Sequence, residues 1–298
     1  MSRRGWVLFA AMGVLWGIPY LMIKVAVEGV SVPMIVFVRT AVGAAVLLPL
    51  ALRAGRPTWL RDRWKPLLAF ATIEIMIPWA LLSDAERHIT SSMTGLLIAA
   101  SPILAVVIGR FTGDAERLGL ARWAGLAIGI AGVAVLAGPA LGDGSPWAIA
   151  EVLLVALCYA TAPIIAARRL SDVPSLPMTA ICLGGAALVY AAPAALTWPQ
   201  TLPEPRVLAA LAGLALVCTA LAFCVFFALI REVGPSRALV FTYVNPAVAV
   251  TAGVIVLGEP LTASIVAAFA LILAGSVLAT AQRPAKDAAT GAPVGSRG

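Results

Sequence analysis

The sequence is poor in charge, in histidine and in paired cysteine. Asp, Glu, Lys and Arg make up 12% of the 298 residues, about half the share of a soluble domain. His88 is the only histidine, and Cys158, Cys182, Cys218 and Cys224 form no CxxC pair. Too few soft ligands remain for a zinc site or a c-type haem, so no metal and no cofactor are expected. No GxxxxGK[ST] stretch occurs, which excludes ATP hydrolysis by a P-loop. The apolar stretches carry no Asp pair, no Ser with His and no HExxH. An intramembrane enzyme lacks its constellation here, and the chain does not read as an enzyme.

Apolar residues are what the chain has. They reach 61%, with a mean hydropathy of +1.00, more than one compact core can hide from water. Lipid is the solvent that accommodates so many, in spans of about 20 residues. Polar and Pro/Gly punctuation cuts the chain into ten such spans, at 5–27, 33–54, 64–84, 91–112, 121–140, 146–168, 176–198, 207–231, 235–258 and 262–281. Continuous apolar runs lack the alternation of a barrel strand, so the spans are helices. The fold class expected is an all-α polytopic membrane protein. Arg3 and Arg4 precede an apolar run too long for a signal h-region, which reads as a retained first helix. The tail 283–298 has no apolar period and is expected to be disordered.

The net charge of +7 does not indicate a nucleic-acid partner, because the basic residues sit in short clusters between apolar runs. Nearly all of them fall in segments that share one side of a ten-span chain. The opposite loops hold only Arg87 and Arg206, and Lys24 and Arg39 lie within spans. The positive-inside rule then places both termini in the cytoplasm and the chain in the inner membrane.

The chain also repeats itself at a spacing of about 143 residues. ERLGLARWAGLAIGIAG from Glu116 parallels EPLTASIVAAFALILAG from Glu259. One residue out of register, Ser92 matches Ser236 and Pro102 matches Pro246; the first-half stretch that ends in FTGDAERL carries one residue more than its counterpart that ends in the compact LGEPL. Residues 1–140 and 146–281 thus form two halves of five spans each. Five is odd, so the halves enter the membrane from opposite sides. Many secondary transporters build alternating access around such an inverted repeat.

Particular stretches also resemble a known family. LWGIPYLMIK in the first span, VPMIVFVRTAVGAAVLL in the second and the paired Ser…Pro…Glu…Gly segments are similar to the EamA-type branch of the drug/metabolite transporter superfamily. The resemblance covers residues 5–281. It implies ten helices in two inverted halves, the bacterial inner membrane, and outward movement of metabolites, often amino acids. The expected function is a secondary exporter of amino acids or related small metabolites, with protons as a candidate coupling ion. Efflux of lipophilic cations and a passive metabolite channel are the alternatives.

Four ionisable residues lie within spans: Lys24, Arg39, Glu74 and Glu151. Such residues usually face a cavity or a partner. Lys24 and Glu151 lie near span ends and can reach water. Arg39 and Glu74 lie deeper, at depths their long side chains can bridge, and an Arg39–Glu74 contact is expected. It would be either a substrate site for a zwitterion, with Glu74 as proton carrier, or a permanent pair joining two helices. Trp16, Tyr20, Trp79, Tyr159 and Tyr243 are the aromatics at depth, with Asn245 two residues beyond Tyr243; each lines a cavity or simply packs. Pro102 and Pro246 each free a carbonyl one turn earlier and mark kinks that can act as gates. Gly125, Gly129 and Gly132, and the small residues of the tenth span, allow close helix approach, within the scaffold or in a homodimer. His88, beside Asp84, Glu86 and Arg87, is expected in a solvated loop.

Overall fold

The computed structural model describes residues 1–53, 55, 57–111, 119–142 and 146–280. Glu116 and the tail 283–298 lie outside the described residues. Among the described residues, ten helices are long and apolar enough to cross a membrane: α1 (Arg3–Ala26), α2 (Val32–Arg53), α3 (Leu60–Ala85), α4 (Ser91–Gly109), α5 (Leu120–Gly138), α6 (Pro146–Arg169), α7 (Ser175–Leu196), α8 (Pro205–Val233), α9 (Leu239–Leu257) and α10 (Ala263–Thr280). Among the described residues there is no strand. Three of the helices run a few residues beyond the expected spans at their starts, because Leu60, Pro205 and Arg3 open helical turns before the apolar stretch begins.

Helix pairing follows the repeat. α5 packs along α10, α2 along α7 and α4 against α9, each helix meeting its own counterpart. The remaining neighbours exchange: α3 lies on α6 as α8 lies on α1. Both relations are what a two-fold axis in the membrane plane requires of two inverted five-helix halves. The α2–α7 and α5–α10 pairs flank the bundle, and α1, α3, α4, α6, α8 and α9 supply its middle.

Lipid tails are as apolar as leucine, so helices associate in a membrane by close fit. At α5–α10 the fit is backbone against backbone. A Cβ on Gly125 would strike the Gly275 carbonyl, one on Gly275 would strike Gly129, and one on Gly132 would meet Ile272. This small-residue face is consumed inside the chain and is not on offer to a second copy.

The interruptions include two equivalent pairs, in α4 and α9 and in α3 and α8; the break in α1 has no counterpart in α6, which is one continuous helix. α1 breaks at Trp16–Ile18 ahead of Pro19, where Gly17 presses on Val248 of α9. α4 breaks at Ala99–Ala100 because Pro102 offers no N–H to Ile98. The Ser101 hydroxyl donates to the Ile98 carbonyl at 2.6 Å, and Ser276 of α10 donates to the Ala99 carbonyl at 3.0 Å. α9 opens with a 3-10 turn, Leu239–Tyr243, before Asn245 and Pro246 restart it. Both prolines therefore lie at helix breaks. α3 and α8 each widen to a π-helix, over Thr72–Met76 and Gly213–Leu221. In α3 the cause is local: Pro78 cannot donate to Glu74, and its ring pushes that carbonyl aside.

Candidate functional site

Five of the eight residues expected at a site come together in the middle of the bundle. Tyr20 arrives from α1, Arg39 from α2, Glu74 and Trp79 from α3, and Tyr159 from α6. Arg39 is 7% exposed. Its Nε donates to Thr219 Oγ1 of α8 at 2.9 Å, and its guanidinium carbon lies 3.6 Å from the centroid of the Trp79 ring. A desolvated cation over an indole face is stabilised by about 2 kcal/mol or more. Tyr159 is within electrostatic reach of Glu74, Tyr20 and Arg39.

The expected Arg39–Glu74 contact is not made. Among the described residues Glu74 has neither an ion pair nor a hydrogen bond, and Arg39 gives its Nε to Thr219. Glu74 lies in a π-helical turn, Thr72–Met76, whose register differs from the α-helix that the spacing assumes. Thr219 also lies in a π-helical turn and closes it by donating to the Leu214 carbonyl at 2.8 Å. One hydroxyl thereby shapes α8 and orients the arginine. Sequence reading passed over Thr219, and the repeat was the signal available, because the two π-helical turns occupy equivalent places in the two halves.

Trp16, Tyr243 and Asn245 stay outside the cluster. Trp16 packs on Phe223, Phe226 and Phe241, with ring centroids 5.6, 4.9 and 5.4 Å away. The Tyr243 hydroxyl pairs with Thr280 Oγ1 at 2.7 Å, joining α9 to α10. Asn245 Oδ1 is buried without a partner. A separate cleft of about 400 Å³, at the end of the bundle that carries the α2–α3 and α6–α7 connections, is lined by Trp59, Leu176 and Arg231 and holds none of these residues.

A second polar cluster closes the opposite end of the bundle. α9 stops at Gly258, whose φ of +67° suits glycine. The turn carries the Glu259 carboxylate onto the first turn of α4. Oε1 accepts from the Ser91 N–H at 2.7 Å and from its hydroxyl at 2.8 Å; Oε2 accepts from the Ser92 N–H at 3.0 Å and from its hydroxyl. A helix N-terminus holds unsatisfied N–H groups and partial positive charge, so a carboxylate is well placed there. Gly253 makes the room: a Cβ there would collide with the carboxylate and with Ser92.

Beneath this cap lies Glu86, between the expected third and fourth spans and 0% exposed, with neither carboxylate oxygen hydrogen-bonded. Lys24 does not reach for water either. Its Nζ donates to the carbonyls of Glu86 and Ile89, at 2.6 and 2.8 Å, ending α3. Burial pushes the Glu86 carboxyl well above the usual range; Lys24 opposes the shift and Glu259 adds to it. Glu151 is likewise buried, with Oε2 lacking a partner. His88 is exposed as expected.

Ten crossing helices in two inverted halves, with a buried cation, a carboxylate and three aromatic rings between them, define a multi-pass membrane transporter. Residues 3–138 and 146–281 each match the EamA-like transporter family, and the chain belongs to that family. It is 29% identical over 276 residues to the uncharacterized inner membrane transporter YedA of Escherichia coli K12, covering 91% of this chain and 88% of that one. The uncharacterized transporter YvbV of Bacillus subtilis is 26% identical over 291 residues, covering 95% and 93%. A probable terminal-alkyne amino-acid exporter of Streptantibioticus cattleyicolor is 31% identical over 177 residues, 56% of this chain and 57% of that one. A crystal structure at 22% identity superposes with a TM-score of 0.66 over 94% of this chain and 98% of that one. It supports the fold.

Proposed function

We propose that this transporter exports a small zwitterionic metabolite, an amino acid or a close relative, by alternating access. The observation that carries the reading is that Arg39 and Glu74 share one cluster without neutralising each other. A guanidinium and a carboxyl group held apart between aromatic walls match the carboxylate and ammonium of a zwitterion. Among the described residues the two terminal guanidinium nitrogens of Arg39 donate to no acceptor, so a substrate carboxylate can take them. The amino-acid exporter among the relatives supports the same substrate class. The charge asymmetry of the loops supports cytoplasmic termini. A cysteine at Glu204 should then react with an impermeant reagent from outside intact cells, and one at Arg61 should not.

One observation favours a second reading. Glu74 has no basic partner, which a site for lipophilic cations also needs, although Arg39 nearby opposes a cationic ligand. Counterflow in proteoliposomes decides between them. Saturable exchange of a labelled amino acid, reduced at least tenfold by Arg39→Gln, supports the zwitterion. Exchange of lipophilic cations alone, unaffected by Arg39→Gln, overturns it. Flux without saturation or counterflow would instead indicate a channel.

A further inference from the structure

Glu86 is the buried group that the substrate reading leaves unused. It is fully enclosed, both of its oxygens lack a partner, and it sits between the Lys24 ammonium and the Glu259 cap on α4. A carboxylate can be buried when it is paired, hydrogen-bonded or neutralised. Lys24 directs two of its three donors to the Glu86 and Ile89 carbonyls, and the Glu259 carboxylate is already committed to Ser91 and Ser92. A second ionised carboxylate would leave the enclosure with an excess negative charge. We propose that Glu86 is a proton-binding site coupled to the Glu259–Ser91–Ser92 latch: protonated Glu86 lets the latch close, and loss of the proton to the outer solution lets it open.

The chemistry is one proton and no bond besides O–H. With the latch closed, Glu86 is the neutral acid. When Glu259 leaves α4, water reaches Glu86, the carboxyl ionises and the Lys24 ammonium becomes its counter-ion. The groups that bear on Glu86 are Lys24 and Tyr20 on α1 and Glu259 on the α9–α10 connection. On its own connection lie Asp84, Arg87 and His88, of which Arg87 pairs with Asp84 at 3.6 Å. Glu151 of α6 feels Asp84 and His88. The sign follows from linkage. Burial raises the carboxyl in the closed state, so that state binds more protons, and raising the pH must favour the open one by up to about tenfold per pH unit. The site extends the transporter reading by giving alternating access a proton-sensitive outer gate, and it is independent of which substrate is carried.

The test therefore contains no substrate. The four native cysteines are replaced by alanine, spin labels are placed at His88→Cys and Leu261→Cys, and the protein is reconstituted in nanodiscs. The distance between the labels is measured from about pH 5 to about pH 9, the range over which a raised carboxyl titrates. One short distance is expected at low pH, with a longer one growing as pH rises. Glu86→Gln should hold the short distance at every pH, and Glu86→Asp should keep the pH response. Lys24→Met removes the opposing cation and should move the midpoint to higher pH, which tests the idea even where Glu86→Gln does not fold. A pH-insensitive parent protein overturns the proposal. So does an unchanged pH response in Glu86→Gln, or an unmoved midpoint in Lys24→Met. Failure of amino-acid counterflow would sink the substrate reading and leave this result standing.

Discussion

Arg39 is held by Thr219, through a 2.9 Å bond from Nε to the hydroxyl, and Glu74 has no part in it. The hydroxyl also donates to the Leu214 carbonyl, so one side chain completes a π-helical turn in α8 and fixes a cation that belongs to α2. Thr219→Val keeps the shape and deletes both bonds. An unsatisfied buried donor beside a charge costs about 1–3 kcal/mol. Thermal unfolding in detergent should show Thr219→Val clearly less stable than the parent, with Thr219→Ser close to it. Equal melting temperatures for the Val and Ser variants would mean that the bond contributes nothing.

Because Arg39 and Glu74 do not touch, their substitutions should add. Breaking a buried ion pair costs about 3–5 kcal/mol through the charge left behind, and removing the second partner then rescues much of it. Here Arg39→Gln and Glu74→Gln should each act alone, with a coupling below about 1 kcal/mol, as for residues without a direct contact. Unfolding of the two single variants and the double variant measures it. A rescue of several kcal/mol in the double variant would restore the direct pair.

Helix number, helix type and the inverted repeat were legible because they are written in composition and period. Span length is set by bilayer thickness, and an odd number of spans per half dictates inversion. Pro102 and Pro246 were legible for a covalent reason, the missing N–H. Tyr20, Arg39, Glu74, Trp79 and Tyr159 could be singled out one by one, since polar and aromatic groups at depth are rare. Their partners could not. The pairing of Arg39 with Thr219 depends on two π-helical turns that shift register by a fraction of a turn, and spacing alone assumes an α-helix. The burial of Glu86 was not legible for a related reason. In sequence it sits among Asp84, Arg87 and His88 and looks solvated, yet Lys24 and the cap on α4 fold over it from elements far away in the chain. Trp16 could be read either as a lining residue or as packing, and it is one ring of an aromatic core.

The flank of the molecule should be the least tolerant of added volume. A methyl group on Gly275 would meet the Gly129 backbone, which cannot rotate aside, whereas one on Gly185 of α7 meets nothing within 4 Å. Overpacking typically costs about 1–3 kcal/mol. Gly275→Ala should lower the melting temperature and the yield of folded protein, and Gly185→Ala should leave both unchanged or slightly improved, since alanine is the better helix former. Comparable behaviour of the two variants would show that α5 and α10 do not meet at their backbones.

The cap on α4 can be broken from two directions, by changing the carboxylate or by refusing it space. Glu259→Gln keeps the length but replaces one acceptor oxygen with a donor, so it can serve only half of the four donors offered by Ser91 and Ser92. It also removes the charge that complements the helix N-terminus. A loss of about 1–2 kcal/mol is expected, which is roughly a tenfold rise in local opening. Gly253→Ala leaves Glu259 chemically intact and drives its carboxylate off Ser92 by collision. Hydrogen exchange should then show the amides of Ser91, Ser92 and Met93 exchanging faster in both variants, with α5 and α10 protected as in the parent. Exchange rates that stay at the parent value in Gly253→Ala would show that glycine there is not what admits the carboxylate, and unchanged rates in both variants would show that Glu259 does not cap α4.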